Sequence, residues 1–376
     1  MSNVKALIHE LRETALHPQK AVIKSITVTG KDAIGCFPIY TPEEIIYASG
    51  YLPVGMWGGK TEIRHADKYL QSFCCSIMRA NVEYGVQGTY NMLKAIVLPT
   101  FCDTLKCVCE NWKVAVPHIP IIATVYPQNR SIKAGFEYLV TEFHRTKKEM
   151  ESITRTIISD KKIEEAFAIY EEYREVMREF VSLAPKYANI INAKDRHLII
   201  KAAYFMDKKI YTEMIKELNN HLKLMPEDFF SGVKMIGTGL LSEPVELLNI
   251  LVENNISIVA DDFAQESRQF RVLTRDEGTA VEKMAYRIID QKGCTFLYEE
   301  QKTKGEMLIN MVKDNNAHAV FVCMMKFCDP EEFDYPIIKE ELEKAGIPIL
   351  YIETDMQLDS YEQIRTRIQS FSEMLV

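Results

Sequence analysis

The stretch "KAIVLPTFCDTLK" (94–106) decides the fold. Its first half is a short apolar run closed by Pro99 and reads as a buried strand. Its second half turns polar and opens a helix-like segment. A strand running directly into a helix is the building unit of an open α/β sheet. The same junction recurs far downstream, where "AHAVFVCMMKF" (317–327) leads into "CDPEEFDYPIIKEELEKAG" (328–346), a helical stretch with a break. Both copies carry Phe-Cys-Asp just outside the carboxyl end of a strand, where open α/β folds place their chemistry.

Working outward, the alternation continues. "AIGCFPIY" (33–40) and "PIIATVYP" (120–127) read as strands, and "TPEEIIYASG" (41–50) as a helix with a Thr cap and early Pro. "VKMIGTGLL" (233–241) reads as a strand and then a Gly-containing turn, and "ISIVADD" (256–262) and "IPILYIETD" (347–355) as further strands, with "PVELLNILVENN" (244–255) a helix between the first two. Between the halves lie "SIKAGFEYLVTEFHRTKKEMESI" (131–153) and "KKIEEAFAIYEEYREVMREFVSLA" (161–184), whose apolar and aromatic residues recur at helical spacing and suit core packing. The expected architecture is α/β: two Rossmann-like parallel-sheet domains, 1–127 and 229–376, flanking a helical segment, 128–228. No short-period repeat is visible.

The 376 residues are 47% apolar and 26% charged, which suits a globular chain and excludes wholesale disorder. A net charge of −8 without a basic run argues against a nucleic-acid-binding face. No apolar stretch reaches membrane-spanning length. The opening "MSNVKALIHELRETALHPQK" reads as an amphipathic helix rather than a signal peptide, so a cytoplasmic location is expected.

Nine cysteines in a reducing compartment point to buried thiols, a metal or cluster site, or redox chemistry rather than to disulfides. Cys102 and Cys328 sit at strand-to-helix turns, and "FCCSIMRA" (73–80) supplies a third helix opening with Cys75. At such turns free N–H groups and the helix dipole favour a thiolate, which is expected to have a lowered pKa. Asp103, Thr104, Asp329 and Pro330 are expected to serve as helix caps. Three thiolates could hold an iron–sulfur cube at three irons. Zinc is the competing tenant, but the short pair "CVC" (107–109) lacks the usual CxxC spacing, and simple burial remains the other alternative. Cys36 and Cys294, taken singly, suit burial. "GTG" (237–239) is not a GxGxxG loop, and His65 and His118 have no ligand spacing. "ADDFAQESRQF" (260–270) suits a salt-bridged helix start, or a cleft wall at the sheet's carboxyl edge.

Together, "CFPIYTPEEIIYASGYLPVGMWG" (36–58), "FCCSIMR" (73–79), "LPTFCDTLK" (98–106), "VADDFAQESRQFR" (259–271) and "MMKFCDPEEFDYP" (324–336) resemble the 2-hydroxyacyl-CoA dehydratase family, which is related to benzoyl-CoA reductase subunits. The likeness runs through nearly the whole chain. It is strongest to the β-type subunits of (R)-2-hydroxyacyl-CoA dehydratases, such as those acting on 2-hydroxyisocaproyl-CoA and phenyllactyl-CoA. The resemblance implies a heterodimer with an α-type subunit and one [4Fe–4S] cluster per subunit, here on Cys75, Cys102 and Cys328. Cys74, Cys107, Cys109 and Cys323 are neighbours that could substitute in that ligand set. The resemblance also implies an ATP-dependent iron–sulfur activator, and a 2-hydroxyacyl-CoA substrate bound mainly at the partner subunit. Water would leave by way of a ketyl radical anion, with this chain relaying the electron. The alternatives are a benzoyl-CoA reductase-like subunit and an iron–sulfur electron-transfer protein without a substrate of its own.

Overall fold

The structure, a computed structural model, describes residues 2–375. Among these, eight strands form two four-stranded sheets. The first contains β1 (Ala33–Cys36), β2 (Leu52–Gly55), β3 (Leu93–Pro99) and β4 (Ile121–Thr124), in the order β2-β1-β3-β4. The second contains β5 (Val233–Gly239), β6 (Ile256–Phe263), β7 (Ala319–Met325) and β8 (Ile349–Thr354), in the order β6-β5-β7-β8. Every strand pair is parallel, so the expected α/β class with two Rossmann-like sheets is what the chain adopts. Parallel strands need crossover connections and bury both faces, which is why β7 is buried at every position and β3 at all but Lys94.

Both sheets share one topology, in which the first strand is flanked by the second on one side and the third on the other. The strand order therefore reverses between β1 and β3, and again between β5 and β7. Each reversal opens a crevice at the carboxyl ends of the strands.

Close packing explains the "GTG" motif. A Cβ at Gly237 would stand 2.4 Å from the Phe263 ring, and one at Gly239 2.2 Å from the Cys323 carbonyl oxygen. These glycines let β5 pack against its neighbours, and the motif forms no phosphate loop.

After β4, helix Lys133–Thr154 packs Leu139, Phe143 and Met150 into the core of the first sheet, and helices Asp160–Leu183, Ala193–Ala202 and Lys208–Lys223 then form a helical layer. Its core joins Tyr170, Phe180, Leu198 and Tyr211 to Val4, Ile8 and Leu11 of the N-terminal helix Ser2–Leu16. The aromatic stripes of the sequence are spent in this packing, as in the edge-on contact of Tyr170 with Tyr173. Ser159, Asn192 and Asp207 start three of these helices, each accepting a backbone N–H with its side chain.

Two local expectations change. Helix Asp329–Lys344 runs through Pro336 without a break, and helix Glu43–Ala48 follows Pro42 while Thr41 donates its hydroxyl back to the Phe37 carbonyl at 2.7 Å. The proline ring costs one helical hydrogen bond, which the neighbouring turns tolerate.

Candidate metal centre

The carboxyl end of β3 leads through Thr100 and Phe101 to Cys102, which caps helix Asp103–Ala115. The carboxyl end of β7 leads in the same way to Cys328, which caps helix Asp329–Lys344. Cys75 caps helix Ser76–Val86. The caps are thus the cysteines themselves, and Asp103 and Asp329 occupy the first helical positions. A carboxylate there still suits the positive end of the helix. Cys102 takes a genuine capping bond, its sulfur accepting the Leu105 N–H at 3.5 Å.

The three thiols line one cavity of about 500 Å3, part of it open to solvent. The sequence places them in distant segments, and the two sheets bring them together. Ile39, Trp57, Met78, Leu240, Phe296 and Phe327 supply its apolar walls. Asp329 and Thr104 are the only polar lining besides the thiols among the described residues. Cys74, Cys107, Cys109 and Cys323 do not line it: Cys107 faces solvent, while the other three are buried.

The thiols are not acidified as the helix-end argument expects. Burial pushes Cys75 up to about 12, against the opposing N–H groups of Met78 and Ile77. Burial likewise raises Cys102 despite the Leu105 and Thr104 N–H groups, and raises Cys328, where the Glu331 carboxylate adds to the effect. Desolvation of a thiolate in an apolar cavity outweighs what a helix terminus returns. A thiol in such a place ionises when a metal takes the proton's position.

The donor set bears on possible tenants. Among the described residues no three His, Cys, Asp or Glu side chains are grouped to share one metal ion. A polynuclear centre instead takes each thiol on its own metal. Three sulfur donors and apolar walls on one cavity fit a soft iron–sulfur cluster.

Second-layer contacts hold the turns in place. Ser76, next to Cys75, is buried; its hydroxyl accepts the Met356 N–H at 3.0 Å and lies 3.3 Å from the Met325 sulfur. Thr61 N–H donates to Gln357 at 3.0 Å, and Gln357 donates to the Gly59 carbonyl at 3.2 Å. These bonds tie the loops after β2 and β8 together beside the cavity. The Glu83 carboxylate accepts the N–H groups of Arg64, His65 and Ala66 and the His65 ring. Burial opposes its charge, but these donors hold it down at about 2. His65 thus anchors a loop, and His118 bonds Asn91 at 2.9 Å.

"ADDFAQESRQF" is almost wholly buried, and its carboxylates enter two ionic networks instead of lining an open cleft. Asp261 and Glu266 receive Arg196, and Glu266 also accepts His197 and Ser242. Asp262 receives Arg268, Arg271 and Lys304. Ser76, Trp57 and Glu331 escaped sequence reasoning, because only the fold shows what they touch.

Two doubly wound α/β units meeting at a thiol-lined apolar cavity define a paired-sheet α/β protein with a candidate metal site at the strand ends. A model of the 2-hydroxyglutaryl-CoA dehydratase D-component family matches residues 38–375, and the chain belongs to this family of dehydratase (hydro-lyase) subunits. It is 45% identical to the lactoyl-CoA dehydratase subunit beta of Anaerotignum propionicum, over 100% of both chains. It is 42% identical to the (R)-phenyllactyl-CoA dehydratase beta subunit of Clostridium sporogenes, again over 100% of both. With the (R)-2-hydroxyglutaryl-CoA dehydratase subunit beta of Acidaminococcus fermentans it shares 35% identity, over 99% of this chain and 100% of that one. Among the described residues no helix is long and apolar enough to cross a membrane.

Proposed function

We propose that this chain is the β-type subunit of an (R)-2-hydroxyacyl-CoA dehydratase and that Cys75, Cys102 and Cys328 hold a [4Fe–4S] cluster. The observation that carries the reading is the convergence of three helix-capping cysteines on one apolar cavity. Its relatives bear β-subunit names, which supports an α-type partner. When bound, the cluster supplies one-electron transfer between an ATP-dependent activator and the partner subunit, where a 2-hydroxyacyl-CoA loses water through a ketyl radical to give a 2-enoyl-CoA.

This chain's own residues have three tasks. The thiols bind, losing their protons as metal arrives. Trp57, Phe296, Phe327 and Leu240 keep bulk water from the centre. The N–H groups at the three helix openings face the thiolate charge, as Leu105 already does for Cys102. The working parts proposed are 1–127 and 229–376, each contributing ligands, with 128–228 as the helical layer. Free thiols throughout fit a reducing cytoplasm.

Anaerobic purification tests the reading directly. Brown protein with about four irons and matching sulfide per chain is the expected result. Zinc without sulfide would overturn the cluster, and full dehydration by the lone chain without an activator would overturn the subunit role.

A further inference from the structure

The second ionic network of the "ADDFAQESRQF" motif lies directly behind Cys328. The Glu331 N–H donates to the Cys328 carbonyl at 3.0 Å, which puts Glu331 in the first turn behind the thiol. Its carboxylate accepts Arg268 at 3.3 Å and Thr295 at 3.2 Å, and the Lys304 ammonium is 3.6 Å away. Asp262 receives Arg268 at 3.0 Å and Lys304 at 3.1 Å, and pairs with Arg271. Asp262, Arg268, Lys304 and Glu331 are all at most 5% exposed. Within the buried group Arg268 and Lys304 balance Asp262 and Glu331, and the partly buried Arg271 adds a third cation at its edge.

Stability alone does not account for that composition, because an apolar packing of the same volume serves a buried site as well or better. Charge near a redox centre has another consequence. A centre that gains an electron gains negative charge, and in a poorly screened interior nearby cations favour the reduced form while carboxylates oppose it.

We propose that the Arg268–Asp262–Lys304–Glu331 network sets the reduction potential of the centre at Cys328, with Lys304 raising it and Glu331 lowering it. This rests on the cluster reading given under Proposed function. These residues act through charge and touch no substrate, so they are positioning residues for the redox level.

The test is an anaerobic redox titration of the full-length protein, as purified, against low-potential viologen mediators, read from its visible and spin-resonance signals. Lys304→Met leaves Asp262 paired with Arg268 and Arg271 and is expected to shift the midpoint downward. Glu331→Gln keeps an acceptor for Arg268 and is expected to shift it upward. Lys344→Met, at the exposed far end of the same helix, is expected to leave it unchanged. Iron content is measured in parallel. Equal midpoints, or shifts of the same sign in the Lys304 and Glu331 variants with full iron, would overturn the inference while leaving the cluster standing. If Lys304→Met loses iron, the sign of the Glu331→Gln shift decides alone. Wild-type protein without iron and sulfide would instead overturn the cluster reading itself, and this inference with it.

Discussion

The hydroxyl of Ser76 accepts the backbone N–H of Met356 at 3.0 Å, joining the residue after Cys75 to the loop that follows β8. One helix opening of the first sheet is thereby bonded to the loop at the carboxyl end of the second sheet, beside the cavity that Cys75 lines. Ser76→Ala removes the acceptor and leaves a buried N–H unpaired, a loss of about 1–3 kcal/mol. The expected outcome is a lower denaturation midpoint and faster iron loss to a chelator. Unchanged chelation kinetics would show that the clasp does not govern the site.

Charge inside the helical layer predicts a stability optimum. His197 lies between Glu266 on Nδ1 at 2.8 Å and Glu243 on Nε2 at 3.0 Å. Burial pulls its pKa down, but the two carboxylates more than offset this and raise it above 6.5. Burial also opposes ionisation of the carboxylates, yet Lys201 and His197 hold Glu243 at about 2, and His197 and Arg196 hold Glu266 at about 2. The His197 contribution is complete below its unfolded pKa and is lost as pH rises through the raised folded value. The carboxylate contributions are complete above their unfolded pKa and are lost as pH falls toward about 2. The urea midpoint should therefore peak between about pH 5 and 6.5. His197→Gln should lower the peak and flatten its alkaline side. A wild-type midpoint that stays level from about pH 6 to 9 contradicts a charged His197.

Gly239 ends β5 with φ 142°, and a Cβ there would meet the Cys323 carbonyl oxygen at 2.2 Å. Gly239→Ala therefore has two penalties, a backbone conformation that side chains avoid and a collision with the main chain of β7. The conformational part alone is worth about 1–3 kcal/mol. Thermal unfolding should register at least that loss, whereas a variant as stable as wild type would mean that β5 and β7 are not so closely apposed.

Most strands were legible because parallel strands buried on both faces are written as continuous apolar runs, as in 94–99 and 319–325. β2 was not: Leu52–Gly55 is four residues long, contains Pro53, and pairs only with β1 at the sheet edge, where a missing N–H is tolerated. At the site, the positions of Cys102 and Cys328 followed from the strand-to-helix pattern, since that pattern is local. The protonation of the thiols did not follow. It is set by Trp57, Leu240 and Phe296, which reach the cavity from other parts of the chain. The same limit hid the buried roles of Asp262 and Glu331, whose shared partners Arg268 and Lys304 come from other elements of the second half of the chain.

The nine cysteines divide by environment, and substitution should follow that division. Cys75→Ser, Cys102→Ser and Cys328→Ser each replace a thiol that faces the shared cavity. A serine oxygen is harder and keeps its proton, so it cannot match a thiolate on iron. All three variants should lose iron and the brown chromophore, and with them activator-dependent dehydration. Cys36 and Cys294 are buried elsewhere; Cys294 accepts the Tyr40 hydroxyl at 3.1 Å. Their serine variants should keep full iron and lose only about 1–2 kcal/mol of stability, as for an ordinary small core change. Cys107 is exposed on the helix that Cys102 caps, which makes it the most sensitive control. Cys107→Ser should be silent in both iron content and stability. If it strips the cluster while Cys102→Ser retains it, the ligand is the wrong thiol of that helix. If none of Cys75, Cys102 and Cys328 matters for iron, the cavity they share is not the metal centre.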